Sequence, residues 1–536
     1  MSEQVSVQAE KARVLQNAKL RELLRKEEKS WIKRIAEGIS ERHALENELY
    51  FVITYLYGLA TSYCSLLDMF SYVASSEFKR CARIFNRIKV LARTWHFGFV
   101  NALEEVAKQS KTPLLKDFLE RFSQMLKTGE MYDKFLMMEH EAYVAEYEAE
   151  YERNLKSMEN LGNAYSAIVT SVTFVAITLT LTNALIGSTG ASNLGPVSTQ
   201  LGLALVATLL TSVLALYFLA PVDRFIYLER DLRVPKEFAK LKKIFPISVI
   251  ASVLASITLF LLVPATRTPG WILLAAATPI LPAGVIAKRA DNAIKTKENA
   301  FPTFIRTLGS TSAITGYSTA KTLKLLLVRD FGVLSTPVKA LHARLAIGVD
   351  SGLCWKNLAS ECGSEMIRVF GGIYEATVSL GGDPGEIGKM ISRNMIRRLV
   401  LRAKRIQVAN GITSLIYPLH IITCALLAFM TSLLEFLVRM VNIGAQYSAS
   451  GGLGLFNSSI DASSISPLFT AIMIVMAIAN AIALKISEVS NAYRFLYHLS
   501  IMLILTAVVL IGVGATVDVL FKSMFNFNFN LAGDST

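Results

Sequence analysis

The chain repeats one plan twice: a long helix-forming block with no membrane-length apolar run, then a group of apolar runs long enough to cross a bilayer. Glu46-Asn47, followed by Leu49, Tyr50 and Phe51, recurs 252 positions later as Glu298-Asn299, followed by Phe301 and Phe304. Further on, Leu126-Lys127-Thr128-Gly129-Glu130 in the first half is matched by Ser379-Leu380-Gly381-Gly382-Asp383 in the second. Each is a small-residue turn with a carboxylate, and each opens a long helix that runs into an apolar stretch. Self-similarity at a fixed period means one supersecondary unit used twice. The expectation is a duplicated membrane protein with two extramembrane domains, not a soluble enzyme.

Seven apolar runs are long enough to cross a hydrocarbon core of about 30 Å as helices. They are Ala164 to Ile186, Leu201 to Ala220, Ile247 to Val263, Trp271 to Ala287, Ile412 to Leu434, Leu468 to Leu484 and Leu499 to Val517. A hydrophobic content of 52% against 18% charged residues agrees with a chain that keeps part of itself in lipid. Met1 to Leu20 is polar with no apolar core, so no cleavable signal is expected.

The basic residues then set the topology, because cytoplasmic segments retain Lys and Arg. The block to Asn163 holds 24 of the 55, Pro221 to Pro246 holds 7, Lys288 to Asn410 holds 19, and Lys485 and Arg494 add 2. Only Arg267, Arg439 and Lys522 remain. An amino end inside, seven spans and a carboxyl end outside therefore put 52 of 55 on one face. The lone sequon, Asn457-Ser458-Ser459, falls in an expected external loop. The resulting division is a charged helical extension (1–45), a first cytoplasmic bundle (46–163), spans one to four (164–287) with a basic loop at 221–246, a second, basic bundle (288–410), spans five to seven (411–517) and an external tail (518–536).

Both extramembrane blocks carry apolar residues at three and four spacing, which predicts helix after helix and two six-helix bundles. The extension to Arg42 is rich in Glu, Lys and Arg with a sparse stripe of Val14, Leu20, Leu24 and Trp31. A solvated helix and a partner-binding helix both fit it.

Sites of chemistry are scarce. Asp383-Pro384-Gly385-Glu386-Ile387-Gly388-Lys389-Met390 approaches a phosphate-binding loop, but Asp383 stands where Gly is needed and Met390 where a hydroxyl is needed. His43, His96, His140, His342, His420 and His498 pair with no Cys or second His at ligand spacing. Cys64, Cys81, Cys354, Cys362 and Cys424 all fall in cytoplasmic blocks or a span, so no disulfide framework is expected. No catalytic residue, cofactor, metal or nucleic-acid partner is predicted. A transporter would need ionisable residues within its spans, and the centres of all seven have no Asp, Glu, Lys or Arg. His420 beside Pro418 and Asn480 in the sixth span fit hydrogen-bonded packing, with a proton relay at His420 as the alternative.

The positive signal is charge asymmetry between the repeats. Met1 to Asn163 is neutral overall, with 24 basic and 24 acidic residues, while Lys288 to Asn410 carries 19 against 9. The excess peaks at Arg393, Arg397, Arg398, Arg402, Lys404 and Arg405, just before the fifth span. That basic helix face serves either as a membrane-surface anchor or as a dock for an acidic cytoplasmic partner. The helix before the first span is acidic instead, with Glu139, Glu141, Glu146, Glu148, Glu150, Glu152 and Glu159. It could pair with the basic helix of the other repeat or of a second subunit.

These features resemble the polytopic platform proteins of type IV pilus-like machines, whose repeated unit is the type II secretion system F domain, and most closely the archaeal branch. The resemblance rests on the Glu-Asn-aromatic entry to each bundle, on Ala102-Leu103-Glu104-Glu105-Val106-Ala107 followed by Leu114-Leu115-Lys116-Asp117-Phe118-Leu119, and on the turn Gly381-Gly382-Asp383. It runs from Glu46 through nearly the whole chain. It implies a cell-membrane platform, commonly a homodimer, on which a cytoplasmic hexameric secretion ATPase docks and past which pilin or archaellin subunits leave the membrane. An archaellum is the leading implication and a non-rotating adhesive archaeal pilus the alternative.

Overall fold

The computed structural model describes residue 41 and residues 44–186, 194–262, 269–449 and 465–533, except positions 63, 96, 111, 222, 230, 231, 233 and 317. Most of the expected extension (1–45) and the sequon at Asn457 lie outside the described residues.

The described chain is all-α. Helix α1 covers 44–60, and α2 (Leu66–Ala74), α3 (Lys79–Arg93), α4 (Gly98–Gln109), α5 (Pro113–Thr128) and α6 (Tyr132–Ile186) follow. Next come α7 (Leu194–Leu219), α8 (Lys236–Leu262), α9 (Pro269–Ala277), α10 (Ile280–Thr315) and α11 (Thr319–Leu326). The series ends with α12 (Ser335–Ala346), α13 (Ser351–Cys362), α14 (Glu365–Ser379), α15 (Pro384–Ala449), α16 (Ile465–Ser487) and α17 (Arg494–Gly533). Seven helices are long and apolar enough to span a membrane: α6, α7, α8, the α9–α10 pair, α15, α16 and α17.

The duplication is visible helix by helix. Helices α5 and α6 start at Pro113 and Tyr132; α14 and α15 start 252 positions later, at Glu365 and Pro384. The turns that divide them use matched devices. Gly129 caps α5 in the left-handed conformation at φ +71°, and Gly381 follows α14 at φ +90°, where a Cβ would be strained. Glu130 N–H returns to the Met125 carbonyl and Gly382 N–H to that of Thr377, while the Asp383 carboxylate accepts from Gly385 N–H at 2.9 Å and starts α15.

Each bundle has an aromatic centre. In the first, Phe70 meets Phe85, Phe99 and Phe122 at ring separations of 5.2, 5.5 and 5.7 Å. In the second, Phe304 meets Phe331 at 5.4 Å, and Trp355 meets Tyr374 at 5.6 Å. Trp355 fits because Gly371 is bare: a Cβ there would lie 2.9 Å from the indole. Such packing, rather than propensity, holds short helices like α2 and α11 in place.

The fourth and last spans show how the sequence expectation maps onto helices; in the fourth, Pro279 and Pro282 already mark an interruption in the sequence. Pro279 stops α9 and α10 restarts at Ile280, so the fourth span is two helices; Pro lacks the N–H that a continuous helix would use. Past that break, α10 runs without interruption from the span into the second bundle, a continuity expected only for α6 and α15. The last helix continues beyond Val517 to Gly533.

The chain forms two compact units, one of residues to Tyr147 with Pro221–Asp223, the other of Glu148–Ala220 with the residues from Arg224 onward.

Candidate functional site

The six basic residues at the start of α15 do not share one solvent-facing surface. Arg398, Arg402 and Arg405 are buried, while Arg393 and Lys404 are exposed and Arg397 is half-buried. The sequence suggested one basic face, for the membrane surface or for docking; three of its six residues are buried. Helical spacing distributes the six around α15, and neighbouring helices cover half of that circumference.

Each buried guanidinium with a described partner acts within the fold. Arg402 pairs with Glu298 at 2.8 Å and also donates to the Arg224 carbonyl at 3.3 Å. Glu298, the repeat-marking acid on α10, is almost fully enclosed and accepts from Ser364 Oγ at 2.5 Å. Arg405 donates to the carbonyls of Ile486 and Ser487, at 2.9 and 3.1 Å, satisfying the C-terminal end of α16 with a cation where the helix dipole favours one.

Two of the outward residues meet the acidic helix of the other repeat in the same chain. Lys404 pairs with Glu152, and Arg397 lies 3.9 Å from Glu148, one helical turn before Glu152 on α6. Sequence left open whether this pairing lies within the chain or between subunits; within the chain, Lys404 and Arg397 reach it.

The segment leading to α8 is bound to the second bundle. Ile226 pairs antiparallel with Ser364, Tyr227 N–H donates to the Gly363 carbonyl at 3.1 Å, and Glu365 N–H donates to the Phe225 carbonyl at 3.4 Å. Phe225 inserts beside Phe238, Leu241, Ala287, Ala290, Ile294 and Val489, with the Arg402 guanidinium 5.5 Å from its ring. The Glu298–Arg402 pair therefore stands where α10, α15 and this linker meet.

A second polar group lies between spans. His420 Nε2 meets Thr506 Oγ1 at 2.9 Å and its Nδ1 meets Asn480 at 3.2 Å, while Asn480 Oδ1 accepts from the Tyr165 hydroxyl. Four spans, α6, α15, α16 and α17, share this network. Satisfied polar groups in lipid act as helix-to-helix glue. Hydrogen-bonded packing and a proton relay both remain compatible with this arrangement of His420 and Asn480.

The phosphate-loop-like segment begins α15 at a close helix crossing. Gly388 lies on α15 against Gly309 of α10, where added Cβ atoms would sit 2.9 Å from the Ile305 carbonyl and 2.3 Å from the Pro384 carbonyl respectively. These glycines let two long helices cross with backbones nearly touching. Among the described residues no His, Cys, Asp and Glu converge as a metal site. Cys362 is buried, and burial pushes its thiol up to about 12.

Two polar connections went unread in the sequence. Asp291 accepts from Asn491 Nδ2 at 2.6 Å, joining α10 to the turn before α17. On that same turn Glu488 pairs with Arg494 at 2.9 Å and lies 3.5 Å from His498. Burial by itself would raise the Glu488 carboxyl, but His498 and Arg494 hold it down, to about 2. The only signal was a charged residue just outside a span, which the positive-inside count absorbed.

The fold and these sites define a class: a polytopic all-α membrane protein with a duplicated helical bundle, whose buried charges tie helices together. Within that class the chain is similar to proteins named Flagella accessory protein J. It is 29% identical over 368 residues to Flagella accessory protein J of Methanococcus voltae, covering 66% of this chain and 64% of that protein. It is 27% identical over 390 residues to the protein of the same name from Methanocaldococcus jannaschii, covering 71% and 68%. The match thus spans less than two thirds of the Methanococcus voltae protein's own length. No family model and no solved structure matches the chain.

Proposed function

We propose that the chain is the cell-membrane platform of an archaeal type IV pilus-like machine, an archaellum in the first instance, with its amino end cytoplasmic and its carboxyl end outside. The observation that carries this reading is the similarity to Flagella accessory protein J over about two thirds of the chain. The architecture supports it. Helices α6, α10 and α15 each join a bundle to a span without a break, and α15, at 66 residues, is about 100 Å long at 1.5 Å per residue. A mechanical coupler needs such rigid handles and needs no reaction centre.

In this reading a hexameric cytoplasmic ATPase docks on the bundles and its motion reaches the pilin or archaellin subunits through these helices, with the platform acting as a homodimer. Any docking contribution of α15 comes from its outward side, where Arg397 and Lys404 would have to exchange their Glu148 and Glu152 partners for carboxylates of the ATPase. The test is co-purification of the ATPase with the detergent-solubilised chain and filament imaging on cells. Arg393→Glu with Lys404→Glu should reach normal abundance in the membrane yet lose ATPase capture and filaments. Normal capture and normal filaments in that variant would remove α15 from the docking surface. Loss of adhesive pili with swimming filaments intact would assign the platform to the non-rotating system.

A further inference from the structure

The duplication supplies an internal template for a site on the first bundle. In the second bundle an extended segment, Phe225 to Tyr227, is seated at the N-terminus of α14 by two backbone hydrogen bonds, with the Arg368 guanidinium 5.2 Å from the Tyr227 ring. In the first bundle α5 begins 252 positions before α14, and Thr112 holds the place of Ser364. A cavity of about 550 Å³ opens there, with Thr112 and Ser110 at its wall.

The cavity combines an apolar floor with a cationic rim. Val106 and Leu115 are buried beneath it, and Leu45 and Ile84 are half-buried at its sides. Arg80, Arg83 and Arg87 line the rim from one face of α3. Arg80 is engaged by Glu48 at 3.0 Å. Arg83 and Arg87 are exposed, and among the described residues no carboxylate pairs with either. Arg83 Nε is fixed on the Lys79 carbonyl and one Arg87 amino group on Gln109 Oε1, which orients both guanidiniums and leaves N–H groups for a ligand. Glu41 is the one carboxylate among the lining residues.

We propose that this cavity is a docking site for an extended acidic peptide segment of a partner protein. An apolar floor suits a chain with alternating side chains better than a bare inorganic anion. Residues two apart on an extended strand project to one side about 6.6 Å apart, close to the roughly 5–6 Å between side chains one turn apart on a helix. Carboxylates at alternate positions therefore reach Arg83 and Arg87 together. Pro113 stands where Glu365 donates its N–H in the second bundle, so one of the two backbone bonds has no counterpart here. Recognition shifts accordingly from backbone pairing to guanidinium–carboxylate forks. The site is independent of which filament the platform serves.

The test uses the detergent-solubilised full chain and a fluorescent pentapeptide, Phe-Glu-Ile-Glu-Tyr, followed by anisotropy. Binding should be saturable, absent for Phe-Lys-Ile-Lys-Tyr, and weakened about tenfold or more by Arg83→Glu with Arg87→Glu, since hydrogen bonds to charged groups are worth that much each. Arg87→Lys should fall between, because it keeps charge and loses the fork. If the double variant loses its helical circular dichroism, Ser110→Cys blocked with a bulky maleimide decides, and binding should vanish. Absence of saturable binding, equal binding of the lysine peptide, unchanged affinity in the folded arginine variants or in the blocked protein, or full displacement by millimolar inorganic phosphate would each overturn the proposal.

Discussion

Arg402 of α15 and Glu298 of α10 lie 104 positions apart and meet at 2.8 Å inside the second bundle, with Ser364 on the other carboxylate oxygen. The acid that marks the start of the repeat in the sequence is thus half of a buried ion pair. Removing one partner of such a pair leaves a charge with no solvent, which costs about 3–5 kcal/mol. Arg402→Met should therefore lower thermal stability in detergent markedly, and Arg402→Met combined with Glu298→Gln should recover a substantial part of the loss. A double variant as unstable as the sum of the two single ones would show that the pair is not coupled.

The crossing of α10 and α15 predicts opposite outcomes for two glycines. Gly388→Ala places a methyl group 2.9 Å from the Ile305 carbonyl, an overpacking that costs about 1–3 kcal/mol. Gly372→Ala, on α14 with nothing within 4 Å of the added carbon, should be neutral or stabilise by up to about 1 kcal/mol through helix propensity. Unfolding midpoints of the two variants check the contrast.

Asn480 bridges Tyr165 and His420 between spans. Interhelical hydrogen bonds in membranes average about 0.6 kcal/mol and reach about 1.7, so Asn480→Leu should destabilise by about 1–2 kcal/mol without preventing insertion. Tyr165→Phe, which removes one of these bonds, should show a smaller shift in the same detergent melt.

The Glu488 carboxyl, held at about 2 in the folded protein, has an ordinary value of about 4.3 when unfolded. A depressed acid contributes stability that is present above the unfolded value and lost as pH falls through the folded one. The unfolding midpoint should therefore drop between about pH 4.5 and pH 2, and Glu488→Gln should remove that component while lowering stability at neutral pH. An identical acid profile in the variant would refute the assignment.

Single cysteines in a cysteine-free background test the topology. Ser192→Cys and Ser450→Cys should react with an impermeant maleimide on intact cells, and Lys321→Cys only after permeabilisation. External labelling of Lys321→Cys would contradict the seven-span arrangement.

The sequence by itself determined the elements. Length and apolar continuity located the seven spans, because lipid leaves a helix no other way to satisfy its backbone, and the 252-residue echo located the repeat, because Gly129 and Gly381 each serve a turn that needs a positive φ. Periodicity likewise gave the twelve bundle helices. What it did not determine was which charges face outward. Arg397 and Arg402 lie about 140° apart on a helical wheel, and charge alone does not say which side is covered: one reaches half-exposed toward Glu148 and the other is enclosed with Glu298. Their difference comes from α10 and the Arg224–Tyr227 linker, more than a hundred residues away in the chain. Only the tertiary structure decided that α10 passes unbroken from span to bundle, that Gly388 sits at a close crossing with Gly309, and that Arg83 and Arg87 rim an open cavity. Burial and ion pairing are properties of neighbours brought together by the fold, and local sequence carries no record of which neighbours arrive.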